Sequence, residues 1–99
     1  MDAQAGCSGN ALYVASERGH EAIARLLIEK GADVNAQGAC YGNSLYVASE
    51  RGHEAIARLL LENGADVNAQ GGEYGNALYV ASERGHEAIV KLLIENGPT

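Results

Sequence analysis

The chain has 99 residues, 46% of them hydrophobic, with 13 acidic and 7 basic side chains and a net charge of -6. That length allows one domain with a modest core, near the lower end of comfortable stability. The acidic balance argues against a nucleic-acid backbone or an anionic membrane surface as partner, because both need clustered Lys and Arg.

At the start, Met1 to Gly6 shows neither the basic stretch nor the apolar core of a secretory signal. No apolar run approaches the roughly 18 residues of a transmembrane helix. The next feature is a repeat. Asn10, Asn43 and Asn76 lie 33 residues apart, and each opens nearly the same string. From Asn43 to Gly71 the second copy departs from the first only at Ser44, Leu61 and Asn63. The third runs from Asn76 to Gly97. With their leading turns the copies fall at about 5–37, 38–70 and 71–99, so the array is expected to form a single domain over 1–99.

Within a copy, taking the second, a first helix is expected from about Asn43 to Arg51. Asn43 suits the N-cap, since its side-chain oxygen accepts from free backbone N–H groups of the first turn. Gly52 supplies the left-handed residue that ends a helix. A second helix is expected from about Glu54 to Asn63, with Ala55, Ile56, Leu59 and Leu60 as its apolar face. Glu54, Arg58 and Glu62 stand four apart on the other face, and the Glu-to-Arg order is the favourable one. Gly64 ends that helix. Ala65 to Gly72 then reads as an extended stretch closing in a glycine-rich turn. Neither helix is long enough to hold alone in water, so each must pack on its neighbours.

These features resemble the ankyrin repeat. Gly52-His53, Ile56, Leu59-Leu60 and Gly64-Ala65-Asp66-Val67-Asn68-Ala69 match that family's 33-residue unit in order, and the same set recurs in the first and third copies. Where the family usually opens with Thr-Pro-Leu-His, this chain has Asn-Ala-Leu-Tyr or Asn-Ser-Leu-Tyr. With the preceding Gly71-Gly72-Glu73-Tyr74-Gly75 turn, it is similar to arrays of filamentous-fungal receptor-like proteins. The resemblance implies an all-α solenoid of three helix-turn-helix units with short β-hairpin loops. It also implies protein–protein recognition on the concave surface of hairpin tips and first helices. Carried over position by position, that face uses Cys7, Glu17 and Arg18 in the first copy, Cys40, Glu50 and Arg51 in the second, and Glu73, Glu83 and Arg84 in the third.

Nothing in the sequence resembles an enzyme, and no cofactor or metal site is expected. His20, His53 and His86 read as turn histidines satisfied by local backbone, because helices in adjacent repeats lie about 8–10 Å apart and zinc needs its ligands at about 2 Å. Ser16, Ser49 and Ser82 read as packing residues. Cys7 and Cys40 occupy equivalent turns one repeat apart, too distant for a disulfide. They are read as reduced thiols in a cytoplasmic setting, with an intermolecular bridge or labelling sites as alternatives. Tyr13, Tyr46 and Tyr79 are read as packing between repeats, or as a ligand platform.

Two functions stay open at this stage. One is a non-enzymatic module that binds a protein partner. The other is a designed or excised structural scaffold with no natural ligand, prone to end-to-end stacking into homo-oligomers because neither terminal repeat carries a polar outer face. The same logic predicts that Leu59→Ala costs more than Leu92→Ala, Leu92 having no repeat beyond it.

Overall fold

The computed structural model describes residues 11–35, 43–68 and 76–96. Within them the chain forms three helix–turn–helix pairs: α1 Ala11–Arg18 with α2 Glu21–Glu29, α3 Ser44–Arg51 with α4 Glu54–Glu62, and α5 Ala77–Arg84 with α6 Glu87–Asn96. No β-strand is found among the described residues. The expected hairpin tips lie outside them.

Local chemistry sets the helix ends. The Asn43 side chain accepts from the Tyr46 N–H at 2.8 Å, and Asn76 does the same for Tyr79 at 2.8 Å. Gly52 is left-handed, with φ +80°. Beyond it the His53 N–H donates to the Ala48 carbonyl at 2.9 Å, so an orphan carbonyl of the last turn is satisfied. On the second helices the Arg25–Glu21 and Arg58–Glu54 pairs close at 2.9 and 2.8 Å, as their spacing predicts.

Two local expectations need correction. The buried face of α4 is Ile56, Ala57, Leu59 and Leu60, while Ala55 is exposed. Ala57 precedes Leu60 by three positions and so shares its helix face. Of the stretch expected to be extended, the described part, Ala65 to Asn68, is turned. Asp66 Oδ1 accepts from the Asn68 N–H at 2.9 Å, and Asp33 does so for Asn35 at 2.9 Å. Short polar side chains of this type fold the backbone back on itself.

The pairs stack in chain order, α1 on α3 on α5 along one side and α2, α4, α6 along the other. The first helices pack on one another more extensively than the second helices do. The core runs through the stack as one cluster from Leu12 to Leu93.

Near-identity of the copies lets exposure report which neighbour a position faces. Leu12 and Leu45 are 2% and 1% exposed, but Leu78 is 38% exposed. This position faces the following repeat. Leu26 is 53% exposed, whereas Leu59 and Leu92 are 5% and 7% exposed. That position faces the preceding repeat. The expectation that Leu92 is the poorly covered leucine is therefore wrong in direction: Leu26 is. Elsewhere in the third copy Ala81, Ile89, Leu92 and Leu93 are buried, while Leu78 is exposed. In the first copy Ile23 and Leu26 are exposed, while Leu12 and Ala15 are buried.

Candidate functional site

The Glu-Arg pairs stand at the C-terminal ends of the first helices, one per repeat, because Gly19, Gly52 and Gly85 end those helices at the same point. Stacking then sets the pairs against each other. Arg51 donates to Glu17 at 3.2 Å, and Arg84 donates to Glu50 at 3.2 Å. Each arginine thus reaches back one repeat. The two ends of this ladder, Arg18 and Glu83, are exposed and have no ion-pair partner among the described residues.

The histidines run alongside. His53 Nε2 lies 3.1 Å from the Glu17 carbonyl oxygen, and His86 Nε2 lies 3.1 Å from that of Glu50. A carbonyl only accepts, so Nε2 carries the proton in both. The expected local backbone partner is thus replaced by the backbone of the preceding repeat. His20, in the first of the three copies, is exposed. No group of three or more His, Cys, Asp or Glu suited to a metal occurs among the described residues.

An open cleft of about 480 Å³ is lined by Glu17, Arg18, His20 and Arg51. A second, of about 290 Å³, lies on the second-helix side against Glu54, Arg58, Lys91 and Leu92. Both are shallow and charged, unlike the enclosed apolar pockets that hold small molecules. Ser16 and Ser82 donate to their own helix carbonyls at Leu12 and Leu78, each at 2.8 Å.

The structure therefore brings Glu17, Arg18, Glu50, Arg51, Glu83 and Arg84 into one row. Cys7, Cys40 and Glu73 lie outside the described residues. A contact absent from the sequence reading is that of Asn35. Its Nδ2 donates to the Gly64 carbonyl at 3.1 Å, and its Oδ1 accepts from the Asp66 N–H at 2.7 Å, in the next repeat. The signal was the recurring Asp-Val-Asn, which marks a position that must bond forward as well as fold its own turn.

The family model described as ankyrin repeats (3 copies) matches residues 1–71 and 38–99. The chain belongs to the ankyrin-repeat family. A crystal structure of the human ASB11 ankyrin repeat domain is similar, at 34% sequence identity and a TM-score of 0.83. The match covers 91% of this chain and 41% of that one, so this array spans about two-fifths of the length of that domain. No curated protein matches the chain significantly. Ankyrin repeats generally mediate protein–protein interaction. No helix among the described residues is long and apolar enough to cross a membrane.

Proposed function

We propose that this ankyrin array is a non-enzymatic module that binds a protein partner on its concave first-helix face. The observation that carries the reading is the charge row, Arg18, Glu17–Arg51, Glu50–Arg84 and Glu83, repeated once per repeat on that face. The surface is half-exposed, polar and pre-ordered by stacking. It suits a partner with charges at the same repeat spacing. Cys7, Cys40 and Glu73 in the turns complete the proposed site, on a single domain of residues 1–99 with repeats at about 5–37, 38–70 and 71–99 and a cytoplasmic setting. No nucleic acid, membrane or cofactor takes part in this reading.

The test is affinity capture, followed by re-expression of the captured protein and a titration with the purified pair. Glu50→Ala/Arg51→Ala and Glu83→Ala/Arg84→Ala are each expected to weaken binding about tenfold or more. A partner that binds both variants as tightly as the parent chain would place the site elsewhere.

A second reading is a self-assembling scaffold without a separate ligand. It is favoured by the large apolar residues left exposed at the two ends of the stack, Ile23 and Leu26 at one and Leu78, Tyr79 and Ile94 at the other. Exposed apolar patches of this kind mark association surfaces.

A further inference from the structure

Each junction inside the array repeats the same ion pair and histidine contacts, beside leucines buried in the shared core. The trailing face of one repeat offers a leucine, a glutamate and a glycine: Leu12, Glu17 and Gly19, then Leu45, Glu50 and Gly52. The leading face of the next answers with a leucine, an arginine and a histidine: Leu59, Arg51 and His53, then Leu92, Arg84 and His86. The arginine pairs with the glutamate at 3.2 Å in both junctions. The histidine donates to that glutamate's carbonyl at 3.1 Å. Its ring also closes over the glycine, where an added Cβ would lie 2.8 Å from Cε1 in both cases.

Half of each junction is left over at each end of the stack. The third repeat presents Leu78, Glu83 and Gly85 without these contacts among the described residues. Leu78 is exposed, Glu83 has no ion-pair partner among the described residues, and a Cβ on Gly85 would meet nothing within 4 Å. The first repeat presents Leu26, Arg18 and His20, all exposed. Gly85 has φ +77°, within a few degrees of Gly19 at +78° and Gly52 at +80°, so the receiving turn already has its junction shape.

We infer that two copies of this chain join head to tail, with the third repeat of one seated on the first repeat of the next. Arg18 of the following copy pairs with Glu83, and its His20 closes over Gly85 and donates to the Glu83 carbonyl. This deepens the self-assembling reading above by fixing which faces meet. Charge selects the register. A two-fold contact joins like faces, leading to leading or trailing to trailing, so neither brings Arg18 of one copy to Glu83 of another. Only the heterologous contact sets opposite charges together, and a heterologous contact that does not close on itself propagates.

Two blocked variants test this by light scattering and sedimentation over a dilution series. Leu26→Glu spoils the leading face and Leu78→Glu the trailing face. Head-to-tail joining predicts that the parent chain forms species larger than a dimer as concentration rises. Each variant alone stays monomeric, because a head-to-tail contact needs both faces, and an equimolar mixture gives a one-to-one heterodimer through the two intact faces. Homodimers of Leu78→Glu that match the parent in strength would overturn the register in favour of a leading-face two-fold, and those of Leu26→Glu in favour of a trailing-face one. In either case self-association itself would stand. A parent chain that stays monomeric at every concentration would overturn both. Because a buried-edge glutamate can also disturb folding, a charge pair provides a second arm. Arg18→Glu and Glu83→Arg singly should weaken association roughly three- to tenfold, the worth of an exposed ion pair turned to repulsion. The double reversal in one chain should restore it. Failure of the double variant to recover would overturn the pairing of Arg18 with Glu83.

Discussion

The imidazole of His53 lies directly over Gly19, where an added Cβ would stand 2.8 Å from the ring carbon Cε1. His86 lies over Gly52 in the same way, also at 2.8 Å. A glycine that ends a helix in one repeat is thus also the floor on which the next repeat's histidine rests. Backbone conformation and inter-repeat packing ask for the same residue at the same place.

Those two demands can be separated, because Gly85 shares the conformation but carries no histidine. Alanine at Gly85 is expected to cost about 1–2 kcal/mol, the strain of a side chain in the left-handed region. Alanine at Gly19 or Gly52 carries the same strain plus an overpacked contact, for about 1–3 kcal/mol more. Urea titrations of the three variants measure the difference. Equal losses at all three sites would show that the histidine moves aside freely.

The leucine series reads the direction of stacking. Leu59→Ala and Leu92→Ala are expected to cost about 2–5 kcal/mol each, since both side chains are buried against the repeat before them. Leu26→Ala is expected to cost under about 1 kcal/mol, because more than half of that side chain is already in water. These values are read at concentrations where the chain is monomeric. A Leu26 loss as large as that at Leu59 would contradict the exposed leading face.

The helix serines differ in a way that stability can register. Ser16 Oγ donates to the Leu12 carbonyl at 2.8 Å, whereas the buried Ser49 hydroxyl has no hydrogen-bond partner among the described residues. Ser16→Ala is expected to cost about 0.5–1.5 kcal/mol, the net worth of an ordinary hydrogen bond. Ser49→Ala removes a desolvated group that gains nothing in return, so its midpoint in a thermal melt should stay level or rise. A fall at Ser49 equal to that at Ser16 would reveal a bond formed by the Ser49 hydroxyl in solution.

The repeat, its helices and their caps were legible because they depend on residues close in sequence. Asn43 caps its own helix and Gly52 ends it, whatever stands next in the stack. Which neighbour Leu92 faces was not legible. Periodicity marks Leu92 as apolar, but identical copies hold no mark of what lies before or after, so Leu59 and Leu92 read alike and Leu26 reads like both. The Glu-Arg pairs were legible as residues, but not the pairing between repeats. Half of each one is turned to the adjacent repeat, and only the offset between stacked helices shows that Arg51 meets Glu17. His53 escaped for the same reason, its acceptor being 36 positions away.

Asn35 gives the last test. Its side chain bridges to the following repeat by two bonds, to the Gly64 carbonyl and from the Asp66 N–H. Its own N–H is held by Asp33. The bridge therefore couples one repeat's turn to the next without any buried area. Asn35→Ala is expected to lower stability by about 1–2 kcal/mol, two exposed hydrogen bonds' worth with partial replacement by water. Asn35→Asp keeps the acceptor for the Asp66 N–H but loses the donor, and sets a carboxylate against the Gly64 carbonyl. It should not recover the loss. The local readout is the exchange rate of the Asp66 amide hydrogen, which should rise several-fold in Asn35→Ala while amides at the centre of α3 follow only the global change. An Asp66 amide that keeps its parent rate in that variant would show that water holds it equally well, and that the turns of successive repeats are coupled through the helices alone.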